Sequence, residues 1–146
     1  MSSKKMPDPA VVADMLHSAA IHLLRRVRKT DEHIGLSPAR LSILSILVFA
    51  GDRPLGELAR MEQVKPPTMT KLVQGLEDDG LVVRKPDKLD KRASIIKATA
   101  KGRNKLLKAQ QLRLEYLTAL INPLDTNEIA ILVEASRLLE KLVSSD

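Results

Sequence analysis

Two adjacent prolines, Pro66 and Pro67, with Gly80 nearly four helical turns downstream, constrain this chain more than any other feature. Proline has no backbone N–H and a fixed φ, so a pair of them is tolerated only in the first turn of a helix. Glycine is the commonest stop. The spacing therefore predicts a helix from Pro66 to about Asp79, ended by Gly80. Directly beyond it, Leu81 to Lys85 and Ala93 to Ala98 are short, β-branched and roughly alternating, around a charged loop that contains Pro86. That pattern reads as a β-hairpin. Upstream, Arg53 to Met61 has Leu55, Leu58 and Ala59 at inward-facing spacing, a short helix. Two short helices joined by a tight turn, the second running straight into a hairpin, make a winged helix-turn-helix.

Longer helices flank this unit. Pro9 to about His33 carries Val12, Met15, Leu16, Ala19, Leu23, Leu24 and Val27 at spacings of three and four, an amphipathic helix closed by Gly35. Ser37 as N-cap and Pro38 at the first helical position open a second helix, which runs to Gly51. Beyond the hairpin, Thr99 caps a helix from Ala100 to Ile121, broken by Asn122-Pro123. A last helix starts near Asp125, with Glu128 three residues later approximating a capping box. The expected fold class is mainly α with a small β-hairpin wing. The expected organisation is a single domain over 1–146, with long helices at 9–34 and 100–145 around a winged lobe at 37–98.

Charge is distributed unevenly. Between Arg84 and Lys105 nine Lys or Arg stand against two Asp, a net charge of +7, whereas the whole chain carries +6. A basic excess confined to one hairpin and its flanks is the electrostatic footprint of a nucleic-acid-binding module. With 44% apolar and 29% charged residues the chain is neither disordered nor membrane-spanning in composition. Its longest apolar stretch, Ile43 to Ala50, is interrupted by Ser45 and falls well short of the roughly 18 residues that a span needs. The N-terminus has no apolar block with a cleavage site, so a cytoplasmic protein with no membrane partner is expected. Zero cysteines exclude disulfides and thiolate metal sites. Tyr116 and Phe49 are the only aromatic residues, so base stacking on an aromatic platform is unavailable.

At about 100° per residue, Met69, Leu72, Val73 and Leu76 share one side of the Pro66 helix and should be buried. Pro67, Lys71, Gln74 and Asp78 lie opposite, flanked by Thr68, Thr70 and Gly75. In isolation that outward face is an ordinary solvated surface. Beside a hairpin loop holding Lys88, Lys91 and Arg92 with Asp87 and Asp90, it becomes a surface fit to meet base edges in a major groove. An arginine at the wing tip can reach the adjacent minor groove, with a neighbouring aspartate fixing its guanidinium.

The stretch GLVVRKPDKLDKRASIIKATAKG, Gly80 to Gly102, resembles the wing signature of the MarR family of bacterial transcription regulators. The matching residues are Gly80-Leu81, Arg84, Asp90 with Arg92, and Thr99 with Gly102. LSPARLSILSIL at Leu36 to Leu47, PLGELA at Pro54 to Ala59 and PPTMTKLVQGLEDDGLV at Pro66 to Val82 follow the family's order, so the resemblance covers nearly the whole chain. It implies a homodimer built from the first, fifth and sixth helices, two winged lobes on a pseudo-palindromic operator in double-stranded DNA, and a repressor. Carried over by position, Thr68, Thr70, Lys71 and Gln74 face the major groove and Arg92, braced by Asp90, enters the minor groove. Arg84, Lys88, Lys91 and the region of Arg53 touch phosphates. The sequence departs from the family at Lys65, where a serine often caps the helix, and at Lys91, where arginine is frequent. The resemblance also implies a small anionic or aromatic effector, in a cleft walled by the first, second and fifth helices with Arg26 or Arg28. A packed core without such a ligand is the alternative, and the residues leave both open.

Independent of the resemblance, the leucines of the terminal helices exceed what one small lobe can cover, which favours a C2 partner. His17 and His22 are about 140° apart around a helix, so they form no two-ligand face. With His33 they are expected at the surface or an interface, with no metal. Asp78-Asp79 reads as a solvated helix end. No nucleophile triad, phosphate loop or cofactor motif is present, and neither an enzyme nor a cofactor is expected. Another class of function, a winged-helix dimer docking an acidic protein partner through its basic wing, predicts little DNA affinity even at low salt. Double-stranded RNA is disfavoured, since the major groove of A-form RNA is too narrow for a helix.

Overall fold

The computed structural model describes residues 6–144. Its elements are α1 (Pro9–Arg28), a 3-10 helix (Lys29–Ile34), α2 (Pro38–Phe49), β1 (Arg53–Pro54), α3 (Leu55–Met61), α4 (Pro66–Asp78), β2 (Val82–Pro86), β3 (Ser94–Ala98), α5 (Ala100–Ile121) and α6 (Thr126–Val143). The chain is mainly helical with one small antiparallel sheet, as the sequence pattern implies. It forms two compact units, one up to Arg113 and the other from Leu114.

Local signals place most helix ends. Asp8 caps α1, with its carboxylate accepting from Ala10 N–H at 2.9 Å. Ser37 caps α2 by accepting from Arg40 N–H at 3.3 Å, and Pro38 takes the first helical position. At the end of α4, Gly80 adopts φ +70°. Its N–H donates to the Glu77 carbonyl and that of Leu81 to the Leu76 carbonyl, both at 2.8 Å. This is a Schellman closure, which needs the left-handed conformation that glycine adopts without strain. In the second unit, Asp125 and Glu128 form a full capping box at the start of α6, with reciprocal bonds of 2.9 and 3.0 Å.

Several boundaries differ from the sequence reading; among them, Pro86, expected in the wing loop, ends β2 paired with Ser94, and β3 begins at Ser94, one residue after the expected Ala93. The first helix does not continue as an α-helix to His33. It tightens at Lys29 into a 3-10 helix that buries both Asp31 and Ile34, side chains that a three-residue repeat stacks on one side. The third helix begins at Leu55, because Arg53 and Pro54 form a short strand paired with Ile96 and Ile95. The sheet therefore has three strands in the order β1-β3-β2, not two. Proline is tolerated in β1 because it lies at the edge. Strand β2 starts one residue late, at Val82, since the N–H of Leu81 is spent on closing α4 and its carbonyl accepts from Thr99 N–H.

The core lies in the first unit. Ile43, Leu44, Leu58, Met69, Val73, Leu76, Leu81 and Ile96 are fully buried, drawn from α2, α3, α4, the sheet and the turn before it. Each such aliphatic side chain contributes roughly 1.5–3 kcal/mol. Leu72 is half-buried against this cluster. The turn between α3 and α4 is closed by Gln63 at φ +53°, with Val64 N–H donating to the Ala59 carbonyl at 3.0 Å. No residue of α1 or α6 is buried.

Candidate nucleic-acid interface

Helix α4 begins Lys65-Pro66-Pro67, and Lys65 at the N-cap supplies no side-chain cap. Pro66 and Pro67 have no N–H to cap, and the N–H groups of Thr68 and Met69 both donate to the Lys65 carbonyl, at 3.0 and 3.1 Å, so what this end of the helix offers an anion is its dipole and the Lys65 charge. Met69 and Val73 anchor the inner face at 0% exposure, while Thr68, Thr70, Lys71 and Gln74 are exposed on the other side. The Thr70 hydroxyl donates to the Pro66 carbonyl at 3.0 Å. It is left to act outward as an acceptor, which suits an exocyclic amino group of adenine or cytosine. The Gln74 amide donates to the Asp78 carboxylate one turn on, at 2.9 Å, which holds its long side chain along the helix.

The wing loop is stiffened by its own aspartates. Asp87 accepts from Leu89 N–H and Asp90 from Arg92 N–H, each at 2.9 Å, and Ala93 N–H donates to the Asp90 carbonyl. These side-chain-to-backbone bonds mimic turns. Asp90 was expected to brace the Arg92 guanidinium. It instead holds the Arg92 backbone, and among the described residues no ion pair joins the two side chains. A carboxylate two residues from the N–H it accepts closes a compact ring, which leaves the guanidinium to reach outward. Lys88, Lys91 and Arg92 are all exposed and engage no acid.

Arg84 lies elsewhere. Strand alternation puts it on the same side of β2 as the buried Val82, while Val83 and Lys85 are exposed. Its Nε and Nη2 donate to one Glu77 carboxylate oxygen at 3.1 and 2.9 Å. Arg53, expected near phosphate, lies in β1 with its Nε 3.5 Å from the Glu57 carboxylate and its Nη1 donating to the Asp52 carbonyl. Of the nine cations from Arg84 to Lys105, Arg84 alone is ion-paired among the described residues. Among those residues the other eight make no ion pair.

A separate cleft of about 350 Å³ lies between α1, α2 and α5, lined among others by Leu24, Arg28, Ser42, Phe49, Gln110 and Arg113. Arg28 lines it; Arg26 does not. Arg113 was not singled out in the sequence. Its Nε and Nη2 bind both carboxylate oxygens of the buried Asp31 at 2.8 and 2.6 Å. The hydrogen bonds to Asp31 raise the guanidinium's pKa above its ordinary value, against a smaller opposing effect of desolvation. His17, His22 and His33 are exposed, and among the described residues no three metal-binding side chains converge. No single helix among those residues is long and apolar enough to cross a membrane.

Comparison with known proteins gives this geometry a context. The family model of the MarR family matches residues 36–94, a span that holds α2, α3, α4, β2 and the wing loop. Over 134 residues the chain is 32% identical to MT0903.1, an HTH-type transcriptional regulator of Mycobacterium tuberculosis, covering 92% of this chain and 94% of the relative. The solved structure of the transcriptional regulator Tm0710 from Thermotoga maritima shares 26% identity and a TM-score of 0.78, over 92% of this chain and 95% of that one. A MarR family protein from Bacillus stearothermophilus, at 24% identity, shares the fold with a TM-score of 0.78 over 96% and 100% of the two chains.

Proposed function

This chain belongs to the MarR family of transcription regulators, and on that premise we propose that it is a repressor that binds a pseudo-palindromic operator as a homodimer. The observation that carries the reading is the set of eight Lys and Arg between Lys85 and Lys105 that engage no acid. Cations without an acidic partner on the wing and the first turns of α5 meet phosphates and release counterions, so affinity falls steeply with salt. Thr68, Thr70, Lys71 and Gln74 meet base edges in the major groove. Lys88 and Lys91 hold the backbone, and Arg92, on the loop that Asp90 fixes, probes the minor groove.

The dimer reading rests on the helices that flank the lobe in sequence, α1 before it and α5 and α6 after it. On α1, Val12, Met15, Leu23 and Leu24 are 46–66% exposed, and on α6 Ile131, Leu138 and Leu142 are 57–59% exposed. A second copy covers such faces and matches the two-fold symmetry of an operator. The cleft beside Arg28 suits a small anionic or aromatic effector that releases the DNA. Such a regulator works in the cytoplasm, where the DNA is.

Fluorescence anisotropy with duplex DNA from upstream of the gene tests the reading. Lys71→Ala and Arg92→Ala are each expected to weaken binding by roughly tenfold, the cost of a lost groove contact. Indifference to both would remove the assigned contacts. Failure of the unmodified protein to bind any duplex at low salt would remove the reading altogether.

A further inference from the structure

The pairing of Arg84 with Glu77 bears on how the two DNA-reading parts are held together. A helix in one groove and a wing in the next read DNA as a unit only if their separation is fixed before contact. Beyond the residues that β1 pairs with and the core buries, the outer part of the wing is a two-stranded projection, and such hairpins hold poorly on their own. What joins it to α4 therefore matters.

That joint is unusually well tied. The last turn of α4 faces cations from three other elements. Arg84 of β2 donates twice to the Glu77 carboxylate, Arg40 of α2 lies 3.4 Å from the Asp79 carboxylate, and Lys101 of α5 donates to the Asp79 carbonyl at 2.7 Å. Positive charge there complements the negative end of the helix dipole. Thr99 adds a bond from its hydroxyl to the Gly80 carbonyl at 2.7 Å. Of these ties only Arg84–Glu77 joins a side chain of the wing itself to α4. The two side chains are 27% and 22% exposed, against 72% for both partners of the surface pair Arg137–Glu134. Partial desolvation and two donors on one oxygen make it a far better strut than an exposed pair.

We propose that Arg84 is a positioning residue, which with Glu77 sets the wing at a fixed distance from α4, and that it does not bind phosphate. The proposal rests on the DNA-binding reading above and predicts an effect of unusual sign. Glu77→Gln removes a negative charge from the lobe, so electrostatics alone would tighten DNA binding. As a strut, its loss loosens the wing and weakens binding.

The experiment is the same anisotropy titration, run with the full chain from low to moderate salt, with far-UV circular dichroism confirming that each variant is folded. Glu77→Gln is expected to raise Kd by about tenfold, in the range of coupling between contacting groups. Arg84→Gln should raise it similarly while leaving the slope of log K against log salt unchanged. The exchange Glu77→Arg with Arg84→Glu should recover most of the loss. Unchanged or tighter binding by Glu77→Gln overturns the proposal. So does a fall of about one in the salt slope of Arg84→Gln, the mark of a lost phosphate contact. Should Arg84→Gln not fold, Glu77→Gln alone decides. Lys71→Ala and Arg92→Ala weaken binding whichever role Arg84 has, so failure of the strut and failure of the DNA reading are told apart.

Discussion

The winged lobe and the terminal helices are made of the same aliphatic residues and use them in opposite ways. Leu44, Leu58 and Ile96 in the lobe are wholly buried, whereas Leu132, Leu138 and Leu142 on α6 are 42–59% exposed. The lobe closes on itself because three helix faces and a sheet meet at one cluster. Helix α6 has an equally regular apolar stripe and no residue of its own buried. Periodicity thus says which face of a helix is to be covered; it does not say by what. The largest test of this contrast is a matched pair of truncations. Leu44→Ala is expected to cost about 3–4 kcal/mol, the usual penalty of a cavity in a close-packed core. Leu132→Ala should change the unfolding free energy of dilute protein by less than about 0.5 kcal/mol and instead raise the dissociation constant of the proposed dimer. Urea unfolding at low concentration and sedimentation equilibrium measure the two. Equal losses in unfolding would mean that α6 packs within its own chain.

The same contrast separates what was legible in the sequence from what was not. Helix starts were readable because their signals are local: Ser37 before Pro38, the Pro66-Pro67 pair, Asp125 with Glu128. Strand β1 was not, since two residues, one of them a proline, carry no alternation, and they pair with Ile95 and Ile96 far along the chain. The direction of Arg84 was readable in principle from its even spacing to Val82. The surrounding positive charge suggested phosphate instead. The bidentate bond between Asp31 and Arg113 spans 82 residues and leaves no local trace. Nothing nearby in sequence marks Asp31 as different from Glu32, yet it is 2% exposed. Asp31→Asn, which keeps the shape and removes the charge, should destabilise the lobe by about 2–3 kcal/mol, since breaking a buried ion pair leaves poorly solvated partners. Thermal unfolding checks it; a loss below about 0.5 kcal/mol would class the pair with exposed ones.

Within the lobe, close packing of backbone on backbone is a stricter condition than packing of side chains. Gly102 sits in the first turn of α5, where its N–H donates to the Thr99 hydroxyl at 3.0 Å. A methyl group there would overlap the carbonyl oxygen of Leu81, which is itself held by Thr99 N–H at 3.0 Å. Neither atom can turn aside without moving α5 or the start of β2. Gly102→Ala is therefore expected to cost roughly 2 kcal/mol by overpacking, although alanine is the better helix former. Its thermal midpoint should fall, and an unchanged midpoint would show that the junction of α4, the wing and α5 gives more freely than its hydrogen bonds imply.

Gly75, in the middle of α4, gives the smallest effect and the sharpest control. A methyl group there would also overlap a neighbour, but that neighbour is the guanidinium of Arg40, the far end of a flexible side chain. Arg40 can swing away at little cost, because its 3.4 Å contact with Asp79 is 30% and 51% exposed at the two side chains and exposed pairs contribute little. Against this stands a gain of about 0.5–1 kcal/mol from replacing a helical glycine with alanine. Gly75→Ala should leave the unfolding free energy within about 0.5 kcal/mol of the original, or raise it slightly. Two glycines in helices, each with an overlapping neighbour, would then respond differently because one neighbour is backbone and the other a mobile side-chain end. A loss at Gly75 as large as that at Gly102 would mean that Arg40 is fixed in place, and that the clamp on the last turn of α4 is stiffer than its contact distance suggests.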